Sequence, residues 1–317
     1  MQINAQPKPL FKGRINKLLR DKQDIERFWQ ISKQALPNSI RCNKLKISPK
    51  ELKNKLENKG WKIKQPYENK EIMIITNKLQ PGQLGKSKEH ILGYYYVQEI
   101  SSMMPILSLN LNSKDILLDC CAAPGSKTTQ ASAKMKNSGT IIANDVSLGR
   151  ISILSANLER CGCSNVVVTR HDSVQLCKKL KKLNFQADKI LTDVPCSGEG
   201  NIRSNQATLK MWNLKMINKL SRIQKKIASS ALELLKPDGC LLYSTCTHSP
   251  EENELVIQYL LNNNNLTIES IKLPLKTRGG ITKWQGNNLN PELKKACRIY
   301  PQDNNTEGFF LCKLRKK

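Results

Sequence analysis

The stretch Leu117-Leu118-Asp119-Cys120-Cys121-Ala122-Ala123-Pro124-Gly125-Ser126-Lys127-Thr128 decides the fold of this chain. An apolar, strand-like run ends in small residues, and a helical pattern with Ala131 and Met135 begins directly after them. Backbone N–H groups at the start of such a helix point into the turn and favour a bound ligand there. The stretch therefore predicts a strand, a ligand-binding turn and a helix.

Strand and helix patterns alternate on both sides of this turn, which predicts a parallel sheet with right-handed crossovers. The predicted strands cover residues 116–120, 140–146, 166–169, 190–194 and 240–244, with two late strands at 266–273 and 309–314. A long helix is expected at 214–235, and Ser249 is expected to cap another helix that starts at Pro250. The fold class is therefore α/β, with a Rossmann-like domain at 109–317 built on a mostly parallel seven-stranded sheet.

Residues 1–108 predict a smaller helical and α+β domain. A helix is expected within residues 1–35, and a β-α-β-β pattern follows, with a helix from Pro49 that is capped by Ser48 and Glu51 and ends near Gly60. This shape is similar to RNA-recognition domains, but the predicted strands lack stacking aromatic residues, so we expect an RNA-orienting role. The run Tyr94-Tyr95-Tyr96 fits either a half-buried strand or a platform for stacking bases.

The composition bounds the class of protein. The chain has 317 residues, of which 39% are hydrophobic and 25% are charged, as in a soluble globular protein. The apolar runs are too short for a membrane span, and the start of the sequence lacks the apolar core of a secretion signal. We therefore expect a cytoplasmic location. The 11 cysteines form no CxxC pair, so reduced thiols are expected, and neither a disulfide framework nor a metal site is.

Positive charge is in large excess. Lys and Arg total 52 residues against 26 Asp and Glu, which gives a net charge of +26. The excess is concentrated in the first fifty residues, which hold twelve basic and three acidic side chains. Such a balance predicts a polyanionic partner, with nucleic acid first and a membrane surface second, although a generally basic proteome would give the same excess.

Acidic residues at two strand ends indicate a nucleoside cofactor. Asp145 ends the second strand, 26 residues after Asp119, where a carboxylate conventionally accepts hydrogen bonds from a ribose diol. Asp172 follows the third strand, where it can accept from the amino group of adenine. The turn lacks the G-x-G-x-x-G pattern that brings backbone close to a pyrophosphate. S-adenosylmethionine therefore fits better than NAD, although the turn alone leaves both open.

Two cysteines follow other strands. Cys246 lies just before the helix expected at Pro250, where a helix N-terminus favours a thiolate, and Cys196 follows Asp193 at the start of a loop. Methyl transfer to C5 of a pyrimidine needs a nucleophile that first adds to C6, and a thiolate can do so. Asp193 can hydrogen-bond N3 or N4 of the ring. The sequence thus predicts one site at three strand ends.

The combination resembles the Sun/RsmB family of RNA cytosine-5 methyltransferases over nearly the whole chain, closest in build to the archaeal tRNA enzymes. The matching segments are Ser39-Ile40-Arg41, Gly93-Tyr94-Tyr95-Tyr96-Val97-Gln98-Glu99, Cys121-Ala122-Ala123-Pro124-Gly125-Ser126-Lys127, Asn144-Asp145-Val146, Asp193-Val194-Pro195-Cys196-Ser197-Gly198-Glu199-Gly200 and Tyr243-Ser244-Thr245-Cys246-Thr247. Val194 and Ser126 stand where relatives commonly have Ala and Gly.

The resemblance implies a class I methyltransferase domain and assigns a role to each candidate residue. Residues 121–127 would hold the amino-acid part of S-adenosylmethionine, Asp145 and Arg150 the ribose, and Asp172 the adenine. Cys246 would be the attacking thiol and Cys196 the helper in product release. Asp193 would contact both the methyl donor and the target base. Lys127 is left with two options, a pair with Asp193 or a contact with the substrate.

The target base must leave its stack to reach a thiol in a pocket, so structured or single-stranded RNA is expected as the partner. The length of the chain resembles that of tRNA enzymes, and rRNA stays open as a target. A monomer is expected. Two other functions are alternatives: a non-catalytic RNA-binding assembly factor, which would have lost a site residue, and an NAD-dependent dehydrogenase, which would have no use for the two cysteines.

Overall fold

The computed structural model describes residues 6–317. The prediction that the chain lacks a secretion signal rests partly on the first five residues, which lie outside the described residues. Among residues 6–317 no helix is both long enough and apolar enough to cross a membrane.

Two helices open the described chain, α1 at Pro9–Leu19 and α2 at Lys22–Ile31, where the sequence predicted one. The break lies at Arg20, whose backbone has a φ of 65°. Asp21 then accepts a hydrogen bond from the backbone N–H of Asp24 and so starts a new helix. Two local signals therefore outweigh the apolar periodicity that runs through both helices.

A four-stranded antiparallel sheet follows, in the order β2-β3-β1-β4. Its elements are β1 at Asn38–Cys42, α3 at Pro49–Glu57, β2 at Ile63–Lys64, β3 at Ile72–Ile75, the short helices α4 at Gln83–Lys86 and α5 at Lys88–Ile91, and β4 at Tyr95–Val97. The capping box of Ser48 and Glu51 is present as predicted. Tyr95 and Tyr96 are buried, so the tyrosine run forms a strand and no exposed platform for bases.

A larger sheet of nine strands contains the ligand turn. Its first half comprises α6 at Met104–Leu109, β5 at Ile116–Asp119, α7 at Ser126–Lys134, β6 at Thr140–Asp145, α8 at Leu148–Cys161, β7 at Val166–Arg170, α9 at Ser173–Lys182, β8 at Ala187–Asp193, α10 at Ala207–Met211, α11 at Leu214–Leu232 and β9 at Leu235–Thr245. The five strands are parallel in the order β7-β6-β5-β8-β9. The predicted α/β class with a Rossmann-like parallel core is confirmed.

The far end of the sheet is antiparallel. It comprises α12 at Glu254–Asn263, β10 at Leu266–Glu269, β11 at Arg278–Gly279, a hairpin of β12 at Lys283–Trp284 and β13 at Asn287–Asn288, β14 at Cys297–Ile299, α13 at Pro301–Asn304 and β15 at Phe309–Lys316. Single 3₁₀ turns lie at Ser101–Met103, Glu199–Asn201 and Pro291–Lys295. On one side β15 pairs with β9, and on the other it pairs with both β14 and β10. The short strands β11 and β14 bring the total to nine, where the sequence predicted seven.

The start of α12 differs from the prediction. The helix begins at Glu254, and residues 250–253 form turns. The side chain of Glu251 is bound by Arg14, and that of Glu252 accepts hydrogen bonds from Ser197, so neither is available to cap a helix at Pro250. Contacts with distant parts of the chain therefore move the helix start by four residues.

Two apolar layers hold the large sheet, one on each face. Successive strand residues point to opposite faces. Accordingly Leu118 and Leu241 pack in the cluster under α11 and α12, whereas Leu117 and Leu242 pack in the cluster under α6 and α7. All four leucines are fully buried. This two-sided burial fixes the central strands, and with them the loops at their carboxyl ends.

Candidate active site

A cleft of about 460 Å³ lies at the carboxyl ends of the central strands. Its lining includes Lys127 from the turn after β5, Asp193 from the end of β8 and Cys246 from the end of β9. Phe309 from β15 and Ser102 close it on other sides. The three strand ends that the sequence predicted to meet therefore do meet in one cleft.

The turn after β5 carries an open helix N-terminus. Gly125 has a φ of +101°, and a Cβ there would lie 2.9 Å from Cδ1 of Leu154, so the position requires glycine. No described side chain caps α7, which begins at Ser126. The backbone of Ala122 is held by a 2.7 Å hydrogen bond to the carbonyl of Asn144. The predicted turn thus forms and presents backbone N–H groups to an anion.

Asp119 is a buried carboxylate behind this turn. Thr128 donates a hydrogen bond of 2.8 Å to its Oδ2, while Oδ1 has no hydrogen-bond partner among residues 6–317. Burial raises the pKa of Asp119 to about 7. The sequence marked Asp119 only as a strand end. Its unpartnered oxygen makes it a further candidate for holding a ligand.

The two predicted nucleoside contacts lie at the ends of β6 and β7. Asp145 is buried, and Arg150 approaches its Oδ2 to 3.1 Å and also donates to the carbonyl of Ala123. In the described chain that Oδ2 has no hydrogen bond of good geometry. Asp172 is exposed and accepts a 3.1 Å hydrogen bond from the N–H of Gln175, so it already serves as the N-cap of α9.

The two candidate cysteines are in contact. Sγ of Cys196 lies 3.2 Å from Sγ of Cys246, across 50 residues of sequence. The hydrogen bond with Cys246 and the removal of this thiol from solvent raise the pKa of the Cys196 thiol well above its usual value. The protonated thiol is therefore the favoured form of Cys196.

Asn201 is a second neighbour of Cys246 that the sequence did not identify. Its Nδ2 donates a hydrogen bond of 3.2 Å to Sγ. The helix that was expected to favour a thiolate starts at Glu254, eight residues after Cys246, and that part of the prediction was wrong. The N–H of Asn201 and the thiol of Cys196 point at the sulfur instead, and such donors stabilise negative charge on it.

Glu252 joins the loops that carry the two cysteines. It accepts hydrogen bonds from the backbone N–H of Ser197 at 2.9 Å and from Nε2 of Gln224 at 2.9 Å. The hydroxyl of Ser197 also bonds to Glu252 and lies 2.8 Å from Oγ1 of Thr247. One buried carboxylate thus fixes the residues that follow Cys196 and Cys246.

Gly200 allows the closest backbone approach in the site. Its N–H donates to the carbonyl of Cys246 at 2.9 Å, and its own carbonyl accepts from Gly308 at 3.0 Å. A Cβ at this position would lie 2.2 Å from the carbonyl oxygen of Gly308 and 2.8 Å from that of Cys246. Contacts this short cannot exist, so any side chain here would displace the loop from Cys246.

Gly200→Ala is therefore expected to cost about 1–3 kcal/mol of unfolding free energy. We also expect a loss of turnover that exceeds what the unfolded fraction explains, because the backbone next to Cys246 must move. Thermal unfolding and initial rates of RNA methylation measure the two effects. Gly149→Ala is the matched control, because nothing lies within 4 Å of its added Cβ. Unchanged stability and turnover in Gly200→Ala would contradict the close approach.

Lys127 pairs with Asp193. Its Nζ lies 2.7 Å from Oδ2 of Asp193 and donates to Oγ of Ser102 at 3.1 Å. The hydroxyl of Ser244 donates to Oδ1 of Asp193 at 2.7 Å. Of the two options that the sequence left open for Lys127, the structure shows the pair with Asp193, and both side chains line the cleft.

The small sheet supports the turn through Arg41 on β1. This buried guanidinium donates to the carbonyl of Ser126 at 2.6 Å and to Oγ1 of Thr129 at 2.8 Å, and it also bonds to Gln98. Its carbon Cζ lies 5.3 Å from the ring centre of Tyr96. The two sheets are thus joined directly at the helix whose N-terminus faces the cleft.

Two family models match the chain. Residues 106–315 match the model of the 16S rRNA methyltransferases RsmB/F, and residues 8–100 match the N-terminal domain of the 16S rRNA methyltransferase RsmF. Together they cover nearly all of the residues that the structure describes.

Individual relatives agree. The tRNA (cytosine(49)-C(5))-methyltransferase of Pyrococcus abyssi is 40% identical over 307 residues, which are 96% of this chain and 97% of that protein. The ribosomal RNA small subunit methyltransferase F of Aeromonas salmonicida is 36% identical over 92% of this chain but only 60% of its own length. This chain thus spans nearly all of the first relative and about three fifths of the second.

A solved structure shows the same fold at similar identity. The crystal structure of a methyltransferase homologue from Pyrococcus horikoshii superposes with a TM-score of 0.85 and is 35% identical, covering 98% of this chain and 95% of its own. Both the family models and these relatives cover the small sheet, the large sheet and the residues that line the cleft. The chain therefore belongs to the RsmB/F family of RNA methyltransferases.

Proposed function

We propose that this protein methylates C5 of a cytidine in RNA with S-adenosylmethionine as methyl donor, and that Cys246 is the nucleophile. The observation that carries the proposal is that Cys246 lines the same cleft as Asp193 and lies 3.2 Å from Sγ of Cys196. A pyrimidine carbon needs an added nucleophile before it can accept a methyl group, and a thiol at the end of β9 supplies one.

The residues around the turn fit the methyl donor. The open N-terminus of α7 suits a carboxylate, and the unpartnered buried Oδ1 of Asp119 suits an ammonium or hydroxyl donor. Oδ2 of Asp145, which Arg150 approaches to 3.1 Å without a hydrogen bond of good geometry, suits a hydroxyl donor. We assign residues 121–127 to the amino-acid part, Asp145 and Arg150 to the ribose, and Asp172 to the adenine. When bound, S-adenosylmethionine supplies an electrophilic methyl group.

The protein's own groups would activate the base. The thiolate of Cys246 adds to C6 of the flipped-out cytosine, which breaks the C5–C6 π bond and makes C5 nucleophilic. Asn201 stabilises the thiolate before attack, because its N–H points at Sγ. Asp193, held by Lys127 and Ser244, is the candidate partner for N3 or N4 of the ring.

Release of the methylated RNA requires the bond between C6 and the sulfur of Cys246 to break again. Once C5 carries the methyl group it loses a proton to water, the C–H electron pair restores the C5–C6 double bond, and the bond from C6 to sulfur breaks with its electrons left on Cys246 as a thiolate. Cys196 is placed to assist, because its thiol lies 3.2 Å from the departing sulfur and its raised pKa favours the protonated form. This division of roles makes Cys196 a release residue and Cys246 the attacking one.

The ribose assignment predicts that Asp145→Ala weakens cofactor binding roughly 100-fold, since hydrogen bonds from two hydroxyls to a carboxylate are lost. Isothermal titration calorimetry with S-adenosylhomocysteine measures the affinity, and circular dichroism checks the fold. Glu57→Ala on α3 serves as the control, because its side chain is exposed and far in sequence from the turn. Unchanged affinity in Asp145→Ala would refute the ribose assignment.

We favour tRNA as the substrate, because the relative that this chain matches from end to end, that of Pyrococcus abyssi, is named for cytosine 49 of tRNA. A target in 16S rRNA is the second candidate, supported by the family models and by the relative from Aeromonas salmonicida. The net charge of +26 fits either RNA. A cytoplasmic location follows from either substrate and is part of the proposal.

Bisulfite sequencing of cellular RNA with and without the gene decides between the two substrates. Cytosine 49 of tRNA is the first position to inspect. Loss of one protected cytosine in tRNA supports the proposal, and loss in 16S rRNA supports the second candidate. Unchanged protection in both RNA classes would contradict methylation of either.

A further inference from the structure

The cleft contains a carboxyl group that the mechanism above does not use, that of Glu307. This residue precedes β15, which pairs with β9 so that Phe310 lies opposite Thr245. The N–H of the next residue, Gly308, donates a hydrogen bond to the carbonyl of Gly200, and the N–H of Gly200 donates one to the carbonyl of Cys246. Glu307 therefore lies beside the strand end that carries the proposed nucleophile, and it lines the same cleft.

The two oxygen atoms of this carboxyl differ. Oε1 accepts a hydrogen bond of 3.0 Å from the backbone N–H of Ser204. Oε2 is buried and, among residues 6–317, has no hydrogen-bond partner, although the residue is only 4% exposed. An unsatisfied buried oxygen is costly unless something else satisfies it. Glu307 lines the cleft, so a ligand bound there is a source of that partner.

Burial and the carboxylate of Glu99 raise the pKa of Glu307, and they are not outweighed by the hydrogen bonds from Ser204 and the positive charge of Arg203, which lower it. Glu99 lies beside it, with Oε1 accepting the backbone N–H of Glu307 at 3.1 Å. Arg203 is near, but its three nitrogen atoms donate to neutral oxygens. These acceptors are the carbonyls of Gln34, Ala35 and Thr306 and Oδ1 of Asn305. Lys127 and Asp193 also line the cleft and are paired with each other.

These surroundings favour the protonated form of Glu307. Burial, reinforced by the carboxylate of Glu99, raises the pKa of Glu307 to about 7. The ring of His248 lies next to Gly308 and is buried. Burial lowers the pKa of His248 to about 3, so this residue adds no positive charge. Bound RNA would remove water and bring phosphates nearer, and both effects favour the neutral carboxylic acid further.

On the basis of the proposed function, we propose that Glu307 is a further catalytic residue whose carboxylic acid donates a hydrogen bond from Oε2 to the N3 or O2 edge of the target cytosine. When the sulfur of Cys246 adds to C6, the displaced electron density is shared between C5 and the N3–O2 edge. A donor at that edge stabilises the adduct more than the free base. The proton stays between Oε2 and the ring, so no further reactant is needed.

Two variants test this role in the full-length protein with a tRNA transcript and S-adenosylmethionine. In Glu307→Gln the amide oxygen can accept from Ser204 while the amide nitrogen donates, so the hydrogen bond to the base is kept. In Glu307→Ala it is lost. We expect a fall of roughly 10- to 100-fold in the single-turnover rate for Glu307→Ala, at saturating RNA. We expect a rate within about threefold of wild type for Glu307→Gln at low pH.

The pH profile separates this role from a structural one. Glu307 donates only when protonated, so the wild-type rate should fall as pH rises through about 7. The amide of Glu307→Gln cannot lose a proton in this range, so its rate should show no such fall. Glu292→Gln changes an exposed carboxyl that does not line the cleft, and it should keep the wild-type profile.

The outcomes are distinct. If the wild type methylates no RNA, the proposed function fails. If the wild type is active, three results overturn the role of Glu307: the absence of the fall in the wild type, its persistence in Glu307→Gln, or a change confined to the KM for RNA in Glu307→Ala. If Glu307→Ala does not fold, the comparison of Glu307→Gln with wild type still decides.

Discussion

Cys246→Ala is expected to lower RNA methylation by a factor on the order of 10⁴ or more, because the attacking nucleophile is removed outright. Without the sulfur, C5 of cytosine is not nucleophilic enough to accept a methyl group. The hydrogen bonds that Asn201 and Cys196 make to the sulfur are also lost, but neither donor can attack C6 in its place. Transfer of a labelled methyl group to a tRNA transcript measures the effect.

The control is Cys163→Ala, which removes a partly exposed thiol from the loop between α8 and β7. It should retain close to wild-type turnover. Cofactor affinity of Cys246→Ala should also stay near that of the wild type, because the turn at 121–127 does not depend on this sulfur. Methylation by Cys246→Ala at more than a few per cent of the wild-type rate would show that another group attacks the base.

The local part of this site was predictable from sequence. The stretch with Asp193 and Cys196 and the stretch with Cys246 each follow an apolar run, and the ends of parallel strands meet at one edge of a sheet. The turn at 121–127 was predictable for the same reason, since a strand, a glycine and a helical pattern stand next to one another. These features depend on short windows of sequence, which a single chain displays without further information.

The rest depends on contacts between distant residues. Asn201 reaches Cys246 across 45 residues, and Arg41 reaches Thr129 across 88. The start of α12 was wrong for the same reason, because Arg14 binds Glu251 from 237 residues away. No periodicity or capping pattern encodes such pairs. Glu307 and Asp119 likewise acquire their properties from burial, which becomes visible only when the strands are assembled.

Two buried carboxyl groups, Glu307 in the cleft wall and Asp119 behind the turn after β5, also suggest how a strongly basic protein handles RNA. Asp119 and Glu307 each have an unpartnered oxygen, and burial raises the pKa of each to about 7. In the neutral form they repel no phosphate and can donate or accept. The excess of Lys and Arg can then bind the RNA backbone elsewhere, while the cleft itself is left to the base and the methyl donor.

Cys196→Ala is expected to trap a covalent complex of protein and RNA that survives a denaturing gel. In this variant Cys246 can still add to C6, and C5 can still be methylated. The thiol that donates to the departing sulfur at 3.2 Å is missing, so breakage of the bond between sulfur and C6 is slowed. The adduct should therefore accumulate, seen as a labelled RNA band that migrates with the protein after heating in detergent.

Two further variants make this result specific. The double variant with Cys196→Ala and Cys246→Ala should give no adduct, because the attacking sulfur is gone. Cys196→Ser keeps a hydroxyl donor next to Cys246 and should release its product faster than Cys196→Ala does. If Cys246→Ala were the variant that trapped RNA, the two roles would be reversed: Cys196 would attack and Cys246 would assist release.

The contact between the sulfurs is symmetrical, but Asn201 donates a hydrogen bond to Cys246, and the raised pKa of Cys196 favours its protonated form. That asymmetry is why we assign the attack to Cys246.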